Sequence, residues 1–481
     1  MPPLRLYTKI AYGIGQLGEG FKNSSFETFL FFYYNQVLGL SGTLAGLATA
    51  IALIFDAVID PMIGSLSDAH KGRFGRRHPF MYVAALPFGL CFYALFVPPQ
   101  GMSEAGLFVW LTVMAIAVRA TMALYLVPHN ALGAELTADY HERTAIVGYR
   151  TIFGVLGGVA TLVLGLFVFL AATPEFPVGQ LNPGAYPAYA LFFACASVVV
   201  VLLSALGTHS RIPVLLEPLH THEAFSMKRL ATELRQALAS PSFRSLFMGV
   251  LIFFVMRGIQ AELGLHVSTH FWELTTQQIG IVGLLGVSGI VIGVPFWTLA
   301  SRRLDKKPTF LWGTLVFAIF AMLPLLLKLL GFWPAKEQTA LYLGLLSLCG
   351  FLAAFGGGAG LVAAGSMMAD LVDEHEYDTG RRQEGIFFGA IAFSGKASSG
   401  LGHLLAGIAI DLIAFPENAV PGRVAPEVVR DLGILYGPGI FALGAAAFFY
   451  LVRYSLTRER VSEIQKTLAD RRAEAGGAPA S

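Results

Sequence analysis

The chain has 481 residues, of which 55% are hydrophobic and only 13% are charged. Soluble domains carry about twice that charged fraction, so the composition excludes an ordinary soluble protein and predicts a chain with several membrane spans. The net charge of +2 is uninformative, because the basic and acidic residues are segregated among different loops.

Membrane-spanning length is the main structural signal along the chain. About 20 consecutive apolar residues cross the hydrocarbon core of a bilayer, and twelve segments meet that requirement, which predicts an all-α polytopic membrane protein. The twelve predicted spans are 10–38, 43–67, 79–98, 105–136, 145–172, 187–207, 242–268, 277–300, 309–331, 340–371, 384–414 and 435–455.

Loop charge predicts the orientation, because cytoplasmic loops carry an excess of Lys and Arg. Basic residues cluster after spans 2, 6 and 8 and after span 12, whereas the opposite loops hold little more than Lys336, Arg423 and Arg430. Both termini and the central loop are therefore expected in the cytoplasm. The predicted organisation is a half at 1–208, a linker at 209–241 with a short amphipathic helix at 227–239, a half at 242–456 and a cytoplasmic tail at 457–481.

The two halves repeat each other in sequence. Ala134-Glu135-Leu136 ends span 4, and Ala369-Asp370-Leu371 ends span 10, 235 residues later. Pro79 opens span 3 after a basic loop, and Pro308 opens span 9 in the same way. Two parallel halves of six spans predict the major facilitator architecture, with a binding site near the bilayer midplane between the halves.

Span 2 contains the most informative polar residues, Asp56 and Asp60. A charge near the bilayer centre costs roughly 3 kcal/mol or more, so intramembrane carboxylates usually have a function. Four residues apart on a helix, the two carboxylates share one face about 6 Å apart. Such a pair either shares a proton or holds a cation. The structural alternative is a pair of static salt bridges to Lys396 or Arg150.

Four motifs distributed over both halves point to a family. They are Asp56 to Gly64 followed by Asp68 and Gly72 to Pro79; Val127 to Leu132 with Glu135 to Thr137 and Glu142 to Thr144; Met368 to Asp373 with Tyr377; and Arg381 to Phe388 leading to Lys396. With these motifs the chain resembles the glycoside–pentoside–hexuronide:cation symporter family. The resemblance implies a secondary transporter in which Asp56 and Asp60 bind the coupling cation. It also implies that Arg150 and Lys396 lie near the central cavity.

The sequence departs from the melibiose-carrying members of that family at several positions. Ile59 replaces an asparagine, and Ala123 and Leu126 replace a threonine and an aspartate of span 4. Gly20 replaces a sugar-binding aspartate, and Asn130 replaces an aromatic residue that stacks on sugar. The cation site therefore keeps its charges but loses neutral oxygen ligands, and Na⁺ and H⁺ both remain open as the coupling ion.

Further polar residues are candidates for binding or gating. The predicted substrate contacts are Glu19, Asn23, Tyr125, Asn130, Arg150 and Lys396. For Glu19 the alternative is an internal pair with Lys22. The predicted cytoplasmic gating residues are Asp68, Arg73, Arg76, Arg77, Glu135, Arg143 and Asp370, although topology alone would also explain the basic ones. Arg119, Arg257, Glu262 and His403 are additional polar residues inside spans.

These observations predict a cation-coupled symporter of a sugar or glycoside in the cytoplasmic (inner) membrane, working by alternating access. The alternatives are a symporter of the same fold for a lysophospholipid-like or other amphipathic solute, and a non-transporting receptor. No nucleotide-binding loop or hydrolase motif occurs, so we expect no enzyme activity, no cofactor, no nucleic-acid partner and no metal beyond Na⁺ at Asp56 and Asp60. The acidic run 373–376 is expected to be a solvated loop, and the protein a monomer.

Overall fold

The regular structure is helical throughout the part of the chain that the structure describes. The computed structural model describes residues 4–215, 238, 240–380 and 384–476, with the backbone alone at 140, 214, 384–393 and 473–476. The helices are α1 (Leu6–Ile14), α2 (Gln16–Ser25), α3 (Gly42–Ala69), α4 (His78–Phe96), α5 (Glu104–Glu135), α6 (Tyr140–Leu164), α7 (Tyr186–His209), α8 (Pro241–His266), α9 (Thr276–Leu304), α10 (Lys306–Leu329), α11 (Thr339–Thr379), α12 (Glu384–Leu412), α13 (Pro426–Ile434), α14 (Ile440–Val452) and α15 (Arg458–Gly476).

Several helices continue into wider π-helical turns. These turns are Phe26–Leu30 and Tyr33–Val37 after α2, Gly165–Phe169 after α6, Val267–Phe271 after α8 and Leu435–Gly439 between α13 and α14. The first predicted span is therefore divided among α1, α2 and two π turns. Short 3₁₀ turns lie at Gly179–Leu181, Pro183–Ala185 and Ile212–Val214.

Ten helical segments among the described residues are long and apolar enough to cross a membrane, and they correspond to ten of the twelve predicted spans. Helix α4 shows why such helices need an apolar solvent. Val83, Leu86 and Leu90 lie on one face of α4 and are 61–67% exposed on the chain's own surface. Patches of this kind face lipid rather than water. The prediction of an integral membrane protein is confirmed.

The chain divides into two compact units. The first comprises the described residues of Met1–Phe225, Gly258–Gly280 and Ser399–Leu432. Within it α3 and α4 both pack on α5, α2 packs on α6, and α4 packs on α7. Small residues permit the α2–α6 contact, since a Cβ atom added to Gly20 would lie 2.4 Å from the carbonyl oxygen of Gly154.

The second unit comprises the described residues of Ser226–Arg257, Ile281–Ser398 and Gly433–Ser481. Its core packs α10 against α11 and α14, and α11 against α15. Helices α10 and α11 approach each other closely at Gly313, where an added Cβ would lie 2.7 Å from the carbonyl oxygen of Gly356. Buried side chains such as Phe243, Leu371 and Ile464 fill the rest of this core.

The expectation of a solvated loop after span 10 is wrong. Helix α11 continues through the acidic run to Thr379 and ends at Gly380, whose φ of 70° is the left-handed cap that glycine favours. The run packs on α15, where Arg472 pairs with Glu376 at 2.8 Å and Gln465 donates to Asp373. Most of the predicted linker, with its amphipathic helix, lies outside the described residues.

Candidate functional site

Helix α3 holds both aspartates of span 2 within one turn of helix. Asp56 is buried, with 7% of its surface exposed, and Asp60 is half-buried. The helix runs through Pro61, which follows Asp60. Proline has no N–H group, so the carbonyl oxygen of Ala57 receives no helical hydrogen bond from position 61. Two carboxylates and one such carbonyl oxygen therefore belong to the same turn.

The described partner of Asp56 is Arg119 of α5, a pairing that the sequence did not indicate. Arg119 Nη1 lies 3.4 Å from Asp56 Oδ2, and both side chains are 9% exposed. The guanidinium carbon is also 4.9 Å from the centre of the Phe26 ring. Besides Asp56, Arg119 interacts electrostatically with Glu27 and Glu262. The ion pair of Arg119 is with Asp56, and the other two carboxylates act on its charge from farther away.

A second buried acid–base pair lies on α8 and α12 in the same unit. Glu262 Oε1 contacts His403 Nδ1, and the two side chains are 2% and 8% exposed. Sequence reasoning had singled out both residues only as polar side chains inside apolar spans. The rule that a buried ionisable group needs a partner would have predicted that each has one, but not which residue it is.

The predicted substrate residues lie in different surroundings. Arg150 donates to Asn130 Oδ1 at 2.8 Å, near the end of α5. Tyr125 is 1% exposed, and its ring stacks on His129 with centroids 5.0 Å apart. Glu19 and Lys396 are half-buried and Asn23 is exposed. The structure thus brings Arg150 and Asn130 together, and the roles of all six residues remain predictions.

Gly20 lies at a position of α2 that has no room for a side chain. Its Cα faces the backbone of α6, where an added Cβ would approach Gly157 and Gly158 within 3 Å. No side chain fits that space without separating the two helices. The departure from the melibiose-carrying relatives therefore has a packing cause in this chain.

Four of the predicted gating residues come together where α3 and α5 end, beside the basic loop that follows α3. Arg77 is 5% exposed and donates twice to Glu135 Oε1, at 3.0 and 2.8 Å. It also pairs with Asp68 and donates to Ser67 Oγ at 2.7 Å. Arg76 reaches the same Glu135 oxygen at 3.2 Å. The basic loop is thereby fastened to the ends of two helices.

The second unit contains the corresponding arrangement. Lys306 at the start of α10 contacts both oxygens of Asp370 on α11, at 2.7 and 2.8 Å. Asp370 is 4% exposed. Lys306 and Asp370 occupy the repeat positions of Arg77 and Glu135, respectively, so the sequence repeat extends to an ion pair in each unit.

The two remaining gating candidates make other contacts. Arg73 is exposed, with its guanidinium carbon 4.9 Å from the Phe74 ring, and Arg143 donates to the Thr137 carbonyl at 3.0 Å. Among the described residues, no group of three His, Cys, Asp or Glu side chains could hold a metal ion. Asp56, Asp60 and the Ala57 carbonyl oxygen are oxygen groups of one turn of α3, and their role as a cation site remains a prediction.

Comparison with known proteins identifies the family. The profile of the family described as MFS/sugar transport protein matches residues 11–458. A putative glycoside/cation symporter of Escherichia coli is 28% identical, covering 99% of this chain and 98% of its own length. An isoprimeverose transporter of Lactiplantibacillus pentosus is 23% identical, covering 92% and 88%.

Solved structures show the same fold. The xylose transporter of Escherichia coli superposes with a TM-score of 0.62 at 16% identity, covering 95% of this chain and 98% of its own. A bacterial homologue of the lysosomal transporter Spinster gives 0.65 at 14% identity, covering 99% and 98%. The predicted resemblance to glycoside–cation symporters is confirmed by these relatives. The chain belongs to the MFS/sugar transport protein family and is a membrane transporter rather than an enzyme.

Proposed function

We propose that the protein is a symporter that couples uptake of a sugar or glycoside to movement of Na⁺ or H⁺ by alternating access. The observation that carries this proposal is the buried carboxylate of Asp56, one helical turn from Asp60 and paired with Arg119. Relatives named as glycoside/cation symporter and isoprimeverose transporter support the solute class.

The proposed architecture is twelve spans in two halves, at 1–208 and 242–456, with a linker at 209–241 and a tail at 457–481. Both termini would lie in the cytoplasm, on the side of the basic loops. The ion pairs Arg77–Glu135 and Lys306–Asp370 would then fasten helix ends on the cytoplasmic side, which fits a role in gating. A relative named as an inner membrane symporter supports a location in the inner membrane.

Arg119 suggests how the coupling ion acts on the protein. In the absence of the ion, Arg119 neutralises part of the charge of Asp56. A cation or proton that binds between Asp56 and Asp60 takes over that role and weakens the hold of Arg119 on α3. Arg119 can then favour Glu27 or Glu262, with which it also interacts. The ion would thereby change contacts between α3 and α5. The ion and the solute then change each other's affinity by the same factor.

The test uses purified protein in proteoliposomes without an ion gradient, with pH and Na⁺ electrodes recording while glycosides, pentosides and uronides are added. We expect at least one sugar to produce a proton or Na⁺ transient. Asp56→Asn and Asp60→Asn should abolish the transient, and they should also abolish solute accumulation in vesicles with an imposed ion gradient. Glu427→Gln, which removes an exposed carboxylate, should keep both.

Accumulation at the wild-type level by either aspartate variant would contradict the cation site. No transient across the panel, from protein shown to be folded, would instead favour the amphipathic solute class over sugars.

A further inference from the structure

Two basic side chains of the second unit lie where the start of α10 meets the end of α14. The two helices pack on each other. Lys307, in the first turn of α10, donates to the carbonyl oxygens of Val452 and Tyr454 at 2.7 and 2.6 Å. The first of these is the last carbonyl of α14, which has no helical partner. The ammonium group of Lys307 therefore bridges α10 and α14.

Arg453 lies between the two residues that Lys307 contacts. It is exposed, and its guanidinium carbon is 3.9 Å from the centre of the Phe449 ring. Within the described part of the chain, its contact is with this ring and not with a carboxylate. A guanidinium carries five N–H donors in one plane, so a face stacked on a ring leaves the edge available to a phosphate.

Both helices present exposed apolar side chains next to these bases. Phe449 and Val452 of α14 are 52% and 44% exposed, and Trp312 and Leu315 of α10 are 56% and 37% exposed. Surfaces of this kind face lipid acyl chains. We call the surface formed by these four side chains the α10–α14 groove.

The depth of the aromatic side chains agrees with a position at the edge of the hydrocarbon core. Trp312 follows Lys307 by five residues, and Phe449 precedes Arg453 by four. In a helix these separations correspond to about 6–8 Å along the axis. Aromatic rings at such a depth are typical of the boundary between headgroups and acyl chains. The two bases therefore lie at the level of lipid headgroups.

The acidic residues around these bases have described partners. Asp370 holds Lys306 at 2.7 Å. The Asp305 carboxylate accepts from the backbone N–H groups of Lys306 and Arg458, at 2.6 and 3.2 Å. Glu459 interacts with Arg458, and Ser242 donates to Glu374 at 3.5 Å. An anion from outside the chain therefore meets an excess of positive charge at Lys307 and Arg453.

We propose that the α10–α14 groove binds one phospholipid with a net negative headgroup. The headgroup phosphate accepts hydrogen bonds from Arg453 and Lys307, and an acyl chain lies along Phe449 and Trp312. A zwitterionic headgroup carries its own cation beside the phosphate, so these bases favour an anionic lipid. The bound lipid adds a second bridge between α10 and α14. This binding does not depend on the proposed transport function.

The test counts lipids on the purified full chain by native mass spectrometry, after the protein has been delipidated in detergent. The probes are phosphatidylglycerol and phosphatidylethanolamine with identical acyl chains. A base near a headgroup contributes about fivefold in affinity, so wild-type protein should bind the first phosphatidylglycerol about 25-fold more tightly than phosphatidylethanolamine. Arg453→Gln should weaken phosphatidylglycerol binding about fivefold. Arg453→Lys should lie between the two, because an ammonium lacks the planar donors that stack on Phe449.

Arg303→Gln is the matched control, because it removes an equally exposed arginine from the end of α9, and it should leave the affinity unchanged. Thermal unfolding checks that each variant is folded. Equal affinity of wild-type protein for the two lipids would overturn the site. Equal losses in Arg453→Gln and Arg303→Gln would overturn its position, since net charge alone would then explain binding. Neither sugar nor an ion gradient is used, so these failures are distinct from a failure of sugar-coupled ion flux.

Discussion

Gly20 illustrates how one residue can exclude a binding chemistry. The α2–α6 contact places the Gly154 carbonyl oxygen 2.4 Å from an added Cβ, a separation that requires the helices to move apart. An aspartate at this position, as in melibiose-carrying relatives, would need a different helix packing. We therefore propose that other groups recognise the solute. Arg150 of α6 and Asn130 of α5, which are hydrogen-bonded to each other, are candidates.

The first prediction concerns this contact. Gly20→Ala should destabilise the protein by about 1–3 kcal/mol, because an extra carbon is forced against backbone atoms. The measurement is denaturant unfolding in detergent micelles. Gly148→Ala is the matched control on α6, since an added Cβ there meets nothing within 4 Å. Equal stability of Gly20→Ala and wild type would show that α2 and α6 are not in backbone contact.

The second prediction concerns Asp56 and Arg119. Removing one partner leaves a buried charge uncompensated, so Arg119→Gln should cost about 3–5 kcal/mol of unfolding free energy. Adding Asp56→Asn to Arg119→Gln should then cost less than the sum of the single variants. The same cycle at the exposed Arg460–Glu463 pair is the control, where solvent screening should make the two effects additive. Additive effects at Asp56 and Arg119 would contradict the ion pair.

At the scale of helices, α3 is capped by a side chain from another helix. Ser41 at its N-cap makes no side-chain cap hydrogen bond. The backbone N–H groups of Gly42 and Thr43 instead donate to the two carboxylate oxygens of Asp411, at 2.9 and 2.7 Å. A carboxylate at a helix N-terminus is favourable, whereas at the end of its own helix α12 the same charge is unfavourable. Asp411 therefore stabilises the start of α3 and its contact with α12, but it destabilises the end of α12.

The third prediction follows from this cap. Asp411→Ala should cost about 1 kcal/mol at the start of α3, which corresponds to roughly fivefold faster amide exchange there. Hydrogen–deuterium exchange of peptides covering residues 42–48 measures the effect, and Asp431→Ala, at an exposed position on α13, is the control. Unchanged exchange in Asp411→Ala would show that another group caps α3.

Most of the helices could be predicted from the sequence, but the contacts between them could not. Apolar length alone located ten helices that are long and apolar enough to cross a membrane, because each such helix must satisfy its own backbone in lipid. The extension of α11 through 373–379 was missed, since an acidic run resembles a solvated loop until Gln465 and Arg472 of α15 are packed against it. Arg119 was missed as the partner of Asp56 because the register between α3 and α5 is a tertiary property. The intramembrane charges themselves were visible in the sequence.

At the scale of the whole molecule, corresponding positions of the sequence repeat form an ion pair in each unit. Arg77 pairs with Glu135 in the first unit and Lys306 pairs with Asp370 in the second. In the first unit the base follows predicted span 2 and the acid lies at the end of span 4. In the second unit the base follows span 8 and the acid lies at the end of span 10. We infer that the two pairs perform the same task in the two proposed halves.

The fourth prediction tests that inference by exchanging charges. Asp370→Lys should reduce solute uptake to background, because two ammonium groups would then meet where Asp370 is 4% exposed and like charges so placed repel strongly. The double variant Asp370→Lys/Lys306→Asp restores opposite charges and should recover a measurable share of uptake. The readout is uptake, by whole cells, of the sugar that gives the largest transient.

The matched control is Glu376→Lys on the same helix, whose partner Arg472 is 56% exposed, so the repulsion it creates is screened by water and uptake should fall little. Recovery by the double variant would assign the loss in Asp370→Lys to the broken ion pair. Failure to recover, with both proteins present in the membrane at wild-type amounts, would mean that Asp370 acts through its own carboxylate. The two ion pairs would then have different roles. In the first unit Arg77 contacts two acids rather than one.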